Sequence, residues 1–145
     1  MRFEDYYEIM QTIARYGHAL DAGTVPFAQV LTEDVEFDFT HAVPPGQPGS
    51  VVKGRERVLE AMTGSADDPY TYRSTLTRPA LSHHTTNSEV VADRGDEVQV
   101  RSKFLRLGNT QPGPMPVLIG QYLDTLRRTD AGWRISRREI ISHGL

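Results

Sequence analysis

The chain of 145 residues has no cysteine, which excludes disulfides, thiolate metal sites and a cysteine nucleophile. It also lacks any apolar run near the roughly 20 residues of a membrane-spanning helix. At the start, "MRFEDYYEIMQ" carries acidic residues where a secretory signal has a basic region and an apolar core. These absences lead to the expectation of a soluble, cytoplasmic protein with no membrane partner. Neither sign of charge dominates, with 16 Lys and Arg against 19 Asp and Glu and a net charge of −3. Basic residues cluster only at "LRRT" and "SRRE", with no interleaved aromatic surface, so no nucleic-acid partner is expected. Glycine-rich phosphate loops, HExxH, CxxC, GxSxG and calcium-loop patterns are missing too. What remains is chemistry without cofactor or metal, carried by histidines, carboxylates and tyrosines.

What the chain does contain is periodicity. Over residues 3–22, Tyr6, Ile9, Ile13, Tyr16 and Leu20 step by three and four, predicting an amphipathic helix that Gly23 ends. "AGTVPF" offers a capping Thr24 and an early Pro26, so a second short helix is expected through residue 31. In "EDVEFDFT", Val35, Phe37 and Phe39 alternate with Glu36 and Asp38, predicting a strand with one buried face. "THAVPPGQPGS" reads as a loop, a candidate lid that includes His41, and "KGRERVLEAMTG" as a short helix. The stretch "SADDPYTYRSTLTRPALS" is poorly periodic and reads as loop. Strands follow at 85–92, 97–107 and 121–127. A "TDAG" turn then leads to "WRISRREII", in which Trp133, Ile135 and Arg137 alternate with Arg134 and Ser136. Helices first and then a run of antiparallel strands predict a single α+β domain over 1–145, whose long sheet curls around the helices and leaves a pocket.

The stretch "LSHHTTNSEV" places two histidines side by side. Successive strand side chains point to opposite faces, so His83, Thr85 and Asn87 share one face and His84, Thr86 and Ser88 the other. The two imidazoles therefore diverge and make a poor metal site. Asp21 falls in the last turn of the first helix, where the helix dipole disfavours an acid. It is either solvated or hydrogen-bonded to a histidine whose tautomer it fixes. Tyr16 is either a packing residue of the apolar stripe or a phenol able to polarise a carbonyl. Asp38 opposes Phe37 and Phe39 in the alternation and so faces solvent. His18 lies opposite the stripe, and His143 sits by a C-terminus expected to fray.

"ARYGHALDAGTVPFAQVLTEDVEFDF", the region around "HHTTN", the "GD" turn and "YLDTLRRTDAGWRISRREI" together resemble the SnoaL-like branch of the nuclear transport factor 2-like superfamily. That group includes scytalone dehydratase, bile acid dehydratase, hexachlorocyclohexane dehydrochlorinase, ketosteroid isomerase and polyketide cyclases. The resemblance implies a cone-shaped α+β barrel, a strongly curved, mostly antiparallel sheet around the N-terminal helices with a central apolar pocket. It implies Asp21, His83 and Tyr16 as catalytic residues and makes His83 the inward histidine. Asn87, Arg101 and Tyr122 are the candidate substrate-binding residues. The implied activity is a cofactor-independent lyase, a dehydratase acting on a small hydrophobic polyketide- or steroid-like substrate. The alternatives are an isomerase or cyclase using the same pocket, or a non-catalytic small-molecule-binding or assembly domain. A homodimer or higher homo-oligomer is the expected assembly.

Overall fold

Leucine, isoleucine and tyrosine at helical spacing fold the first segment into α1 (Phe3–Ala22), with the predicted bounds. A computed structural model describes residues 1–22, 25–43, 46–63, 81–110 and 113–143. The remaining elements are β1 (Leu31–His41), β2 (Val51–Lys53), α2 (Arg55–Thr63), β3 (Leu81–Asp93), β4 (Glu97–Thr110), β5 (Gly113–Thr129) and β6 (Gly132–His143). In place of the expected second helix there is one 3-10 turn, Phe27–Gln29, because β1 already begins at Leu31. His41, read as part of the proline loop, ends β1 opposite Ile141. His143, read as frayed, is paired with Ile119 at the end of β6. Of the stretch 65–82, read as loop, residues 65–80 lie outside the described residues, and Leu81 and Ser82 are not loop but the start of β3.

The strands form one six-stranded sheet in the order β2-β1-β6-β5-β4-β3. Only the β1–β6 pairing is parallel; the others are antiparallel. Helix α1 lies across one face, packing against β3 and β6. Between helix and sheet sit Ile9, Ile13, Phe37, Val100, Leu126 and Ile135, all buried. Burial of one such side chain is worth roughly 1.5–3 kcal/mol. The turn from β5 to β6 closes on Gly132 at φ 100°, in the left-handed region that glycine enters at least cost.

The buried stripe of α1 is not quite the predicted one. Tyr6 is exposed, and Asp5 is buried in its place. Both positions fit a three-and-four spacing with Ile9, and hydrogen bonding decides between them. Asp5 accepts from Trp133 Nε1 at 3.2 Å and pairs with Arg128 at 2.8 Å and Arg2 at 3.1 Å. The hydrogen bonds from Arg128, Arg2 and Trp133, in that order of effect, hold its carboxyl well below the usual carboxylate range. A carboxyl depressed in the folded state stabilises the fold above its unfolded pKa near 3.9, and that contribution is lost as pH falls toward the folded value. Asp5→Asn is therefore expected to flatten the loss of stability below about pH 4, measured by urea unfolding at pH 7 and pH 3. An acid limb as steep as wild type's would count against this assignment.

Two bulges re-aim side chains. Thr86 pairs with Lys103 and Glu89 with Arg101, so Asn87 and Ser88 together face the single residue Ser102. Asn87 takes φ 51°, a conformation asparagine tolerates better than most residues. On β6, Ile135 pairs with Leu126 and Arg137 with Thr125, leaving Ser136 as the extra residue. Each bulge exchanges the faces of everything beyond it.

Candidate active site

Asp21 and His83 meet where the last turn of α1 reaches β3. His83 Nδ1 lies 2.6 Å from Asp21 Oδ1, and the His83 backbone N–H donates to Asp21 Oδ2 at 2.8 Å. One residue thus occupies both oxygens of the carboxylate. Those two donors answer the unfavourable position of an acid at a helix C-terminus. With Nδ1 carrying the proton toward Asp21, Nε2 is the lone-pair nitrogen and can accept a proton. The side chains are mostly buried, retaining 16% and 17% exposure.

Gly17 makes this approach possible. A Cβ there would lie 2.9 Å from the His83 carbonyl oxygen, which belongs to the backbone and cannot rotate away. Alanine has the higher helix propensity, by about 1 kcal/mol, yet Gly17→Ala would push α1 off β3 at the dyad. The expected result is lower catalytic turnover with the helix content unchanged, checked by kinetics beside far-UV circular dichroism. Turnover equal to wild type would show that the close approach is unimportant.

His84 points the other way. It is exposed and its Nε2 lies 2.8 Å from Ser82 Oγ. His84→Ala is expected to leave turnover within about twofold of wild type, as usual for a surface change. A large loss in the same kinetic assay would reverse the assignment of the two histidines.

The inner face beyond the dyad is aromatic and holds a buried ion pair. Tyr16 and Tyr122 are buried, their rings meeting edge to face at 6.1 Å, and Phe104 stacks on Tyr122 at 4.4 Å. The guanidinium of Arg138 lies 3.8 Å from the Tyr16 ring centre and 3.9 Å from that of Tyr122. Its Nε and Nη2 donate to the two oxygens of Asp124 at 2.6 and 2.7 Å, and both side chains are completely buried. Burial opposes the charge on Arg138, but Asp124 outweighs it and keeps the guanidinium ionised. Among the described residues Arg138 Nη1 has no hydrogen-bond partner. Burial also pushes the Tyr16 and Tyr122 phenols up from their ordinary value, so both stay protonated at neutral pH. The Tyr16 hydroxyl lies 3.6 Å from Met62 Sδ, a weak acceptor.

Sequence parity misplaced Asn87 and Arg137, and the structure also turns Arg101 away from the site. Asn87, expected beside His83, is exposed because the bulge at Asn87–Ser88 turns it outward and brings Ser88 and Val90 in. Arg101, a candidate for substrate binding, lies on the outer face, where its guanidinium pairs with Glu89, while its neighbours Val100 and Ser102 are buried. Arg137, placed with Trp133 and Ile135, faces away from them toward Asp38 at 3.0 Å, because the extra Ser136 hands the inner position to Arg138. Tyr122 is on the inner face. Asp38 points away from the core but is not solvated as expected: its side chain is only 14% exposed, paired with Arg137 and accepting from the Thr40 N–H at 2.9 Å. The Arg138–Asp124 pair had no signal in the pattern, since its charges interrupt otherwise apolar alternation on both strands.

Among the described residues no three histidine or acidic side chains are grouped to hold a metal ion. A separate surface cleft of about 640 Å³ near the start of β1 shares no residue with the dyad. Charged side chains such as Arg55 and Arg127 share its wall with Ala28 and Leu31, and Arg127 pairs with Asp34 at 2.7 Å.

A helix laid across a bulged, mostly antiparallel sheet, with an Asp–His pair on the covered face, defines the cone-shaped α+β class. Residues 1–139 match the SnoaL-like domain family, and the chain belongs to it. Similar solved structures include a nuclear transport factor 2-like protein with a cystatin-like fold from Novosphingobium aromaticivorans. It is 25% identical over 97% of this chain and 83% of that one, with a TM-score of 0.74. A protein of unknown function from Mycobacterium tuberculosis is 24% identical over 99% of this chain and 79% of that one, with a TM-score of 0.71. A candidate scytalone dehydratase from Novosphingobium aromaticivorans is 23% identical over 94% of this chain and 83% of that one, at TM-score 0.64. No curated protein matches. No helix among the described residues is long and apolar enough to cross a membrane.

Proposed function

We propose that the protein is a cofactor-independent dehydratase in which His83 removes a proton beside a carbonyl of a small hydrophobic substrate. The observation that carries this reading is the double engagement of Asp21 by His83, through Nδ1 and the backbone N–H, on the aromatic inner face. Asp21 fixes the ring and stabilises the imidazolium that forms when Nε2 takes the proton. Tyr16, protonated at neutral pH, donates to the developing enolate oxygen. The unpaired Nη1 of Arg138 supplies a second, cationic donor beside the same ring. Collapse of the enolate expels a hydroxyl from the β carbon as water, with the proton on His83 as its source. Likeness to the candidate scytalone dehydratase supports the fold that holds these groups.

A panel of β-hydroxy ketones with polyketide-like and steroid-like skeletons tests the reading in deuterated water. Wild type is expected to form the conjugated enone and to exchange the proton next to the carbonyl. His83→Ala and Asp21→Asn are expected to do neither at comparable rate. Enone formation undiminished in both variants would sink the proposal. Exchange without loss of water would make the same dyad an isomerase.

A further inference from the structure

The dyad has a charged neighbour that the proton transfer does not use. Arg106 on β4 stands directly across from His83 in the β3–β4 ladder and across from Leu118 in the β4–β5 ladder. Side chains opposed in antiparallel strands share a face, with Cβ atoms about 4.5–5.5 Å apart. The alternation that buries Val100, Ser102 and Phe104 puts Arg106 on the same inner face. Its Nε is buried and has no hydrogen-bond partner among the described residues.

An arginine is charged at every accessible pH, and a buried donor left unmade is costly. The other inner-face arginine, Arg138, has its charge answered by Asp124. Arg106 has no such partner among the described residues. Leu118 is apolar, and both oxygens of Asp21 are taken by His83. Among the described residues the inner face therefore carries one arginine with no acid partner, beside the proposed base, with a buried Nε still to be satisfied. A planar fork matches a carboxylate, which can accept two parallel hydrogen bonds from it.

We propose that Arg106 is a substrate-binding residue that anchors a carboxylate, and hence that the substrate is a hydrophobic acid gripped beside His83. This rests on the reading of the dyad above for the identity of the ligand as substrate. The predicted binding preference can be measured without turnover, so the two can fail separately. Naphthalene-2-carboxylate and its neutral isostere naphthalene-2-carboxamide serve as probes, titrated calorimetrically into the intact protein. Wild type is expected to bind the carboxylate at least about 10-fold more tightly, the scale of a charge-assisted hydrogen bond. Arg106→Gln should erase the preference, whereas Arg106→Lys, which keeps the charge without the fork, should retain part of it. His83→Ala should retain it in full. Equal binding of the two probes, no binding of either, or a preference that survives Arg106→Gln would overturn the proposal. If Arg106→Gln does not fold, an unreduced preference in Arg106→Lys overturns it instead. Loss of dehydratase activity in the panel with the preference intact would remove only the earlier reading.

Discussion

Arg138→Met is expected to cost about 3–5 kcal/mol of stability, because it strands Asp124 as an uncompensated charge in the core. Both partners are completely buried, and Asp124 has the two donors of one guanidinium on its two oxygens. Asp124→Leu should cost as much for the mirror reason, leaving a guanidinium between two tyrosine rings with no counter-charge. The double change Arg138→Met with Asp124→Leu should recover most of the loss, since a buried pair replaced by apolar groups of similar volume is often neutral or better. Urea unfolding of the four proteins closes the cycle. Single changes costing under about 1 kcal/mol, the range of an exposed pair, would mean that the pair is solvated. If the double variant is as weak as the singles, the rings rather than the charges hold this region. A stable double variant also offers the test of Arg138 as an oxyanion donor, because its turnover can be measured in a folded protein.

His83→Ala is expected to lower turnover by about 10²- to 10⁴-fold, the usual worth of general acid–base catalysis. The ring is partly exposed, so removing it should leave the fold standing. Asp21→Asn should produce a loss of similar order through the tautomer. An amide in that position can present its NH2 to Nδ1, which favours a proton on Nε2 and removes the base. The two losses should not multiply in the double variant, because the groups act as one unit. Additive losses would mean that Asp21 acts on substrate by itself. Retained turnover in His83→Ala would remove the mechanism.

Much of this arrangement was legible in the chain. Helical spacing marked α1 to the residue, because its apolar contacts repeat over five turns. The Asp–His pair was legible for a different reason. Helix position left Asp21 either solvated or hydrogen-bonded, and strand parity said only that two adjacent histidines diverge; the family resemblance chose His83 and paired it with Asp21. Parity held at His83 because the bulge comes after it, at Asn87. It failed wherever a bulge intervened, and a single inserted residue leaves no trace in a hydrophobicity pattern. Ser136 is such a case: unbroken alternation from Ile135 would put Arg137 on the inner face, and the bulge at Ser136 puts Arg138 there instead. Asn87 hinted at its own displacement, being among the few residues that accept a positive φ. Asp5 shows another limit. Tyr6 is the better apolar residue for the stripe, but three donors from Arg2, Arg128 and Trp133 converge on Asp5, and two of them come from the far end of the sequence. The short strand β2 was not legible at all, since three residues carry no period.

The Nδ1–H tautomer of His83 is the feature on which the chemistry turns, and long-range ¹H–¹⁵N correlation spectra of the histidine rings read it directly. At a pH where the ring is neutral, His83 should show a protonated Nδ1 and a bare Nε2 in wild type, and Asp21→Asn should move the proton to Nε2. A proton on Nε2 in wild type, or a spectrum that Asp21→Asn leaves unchanged, would contradict the account.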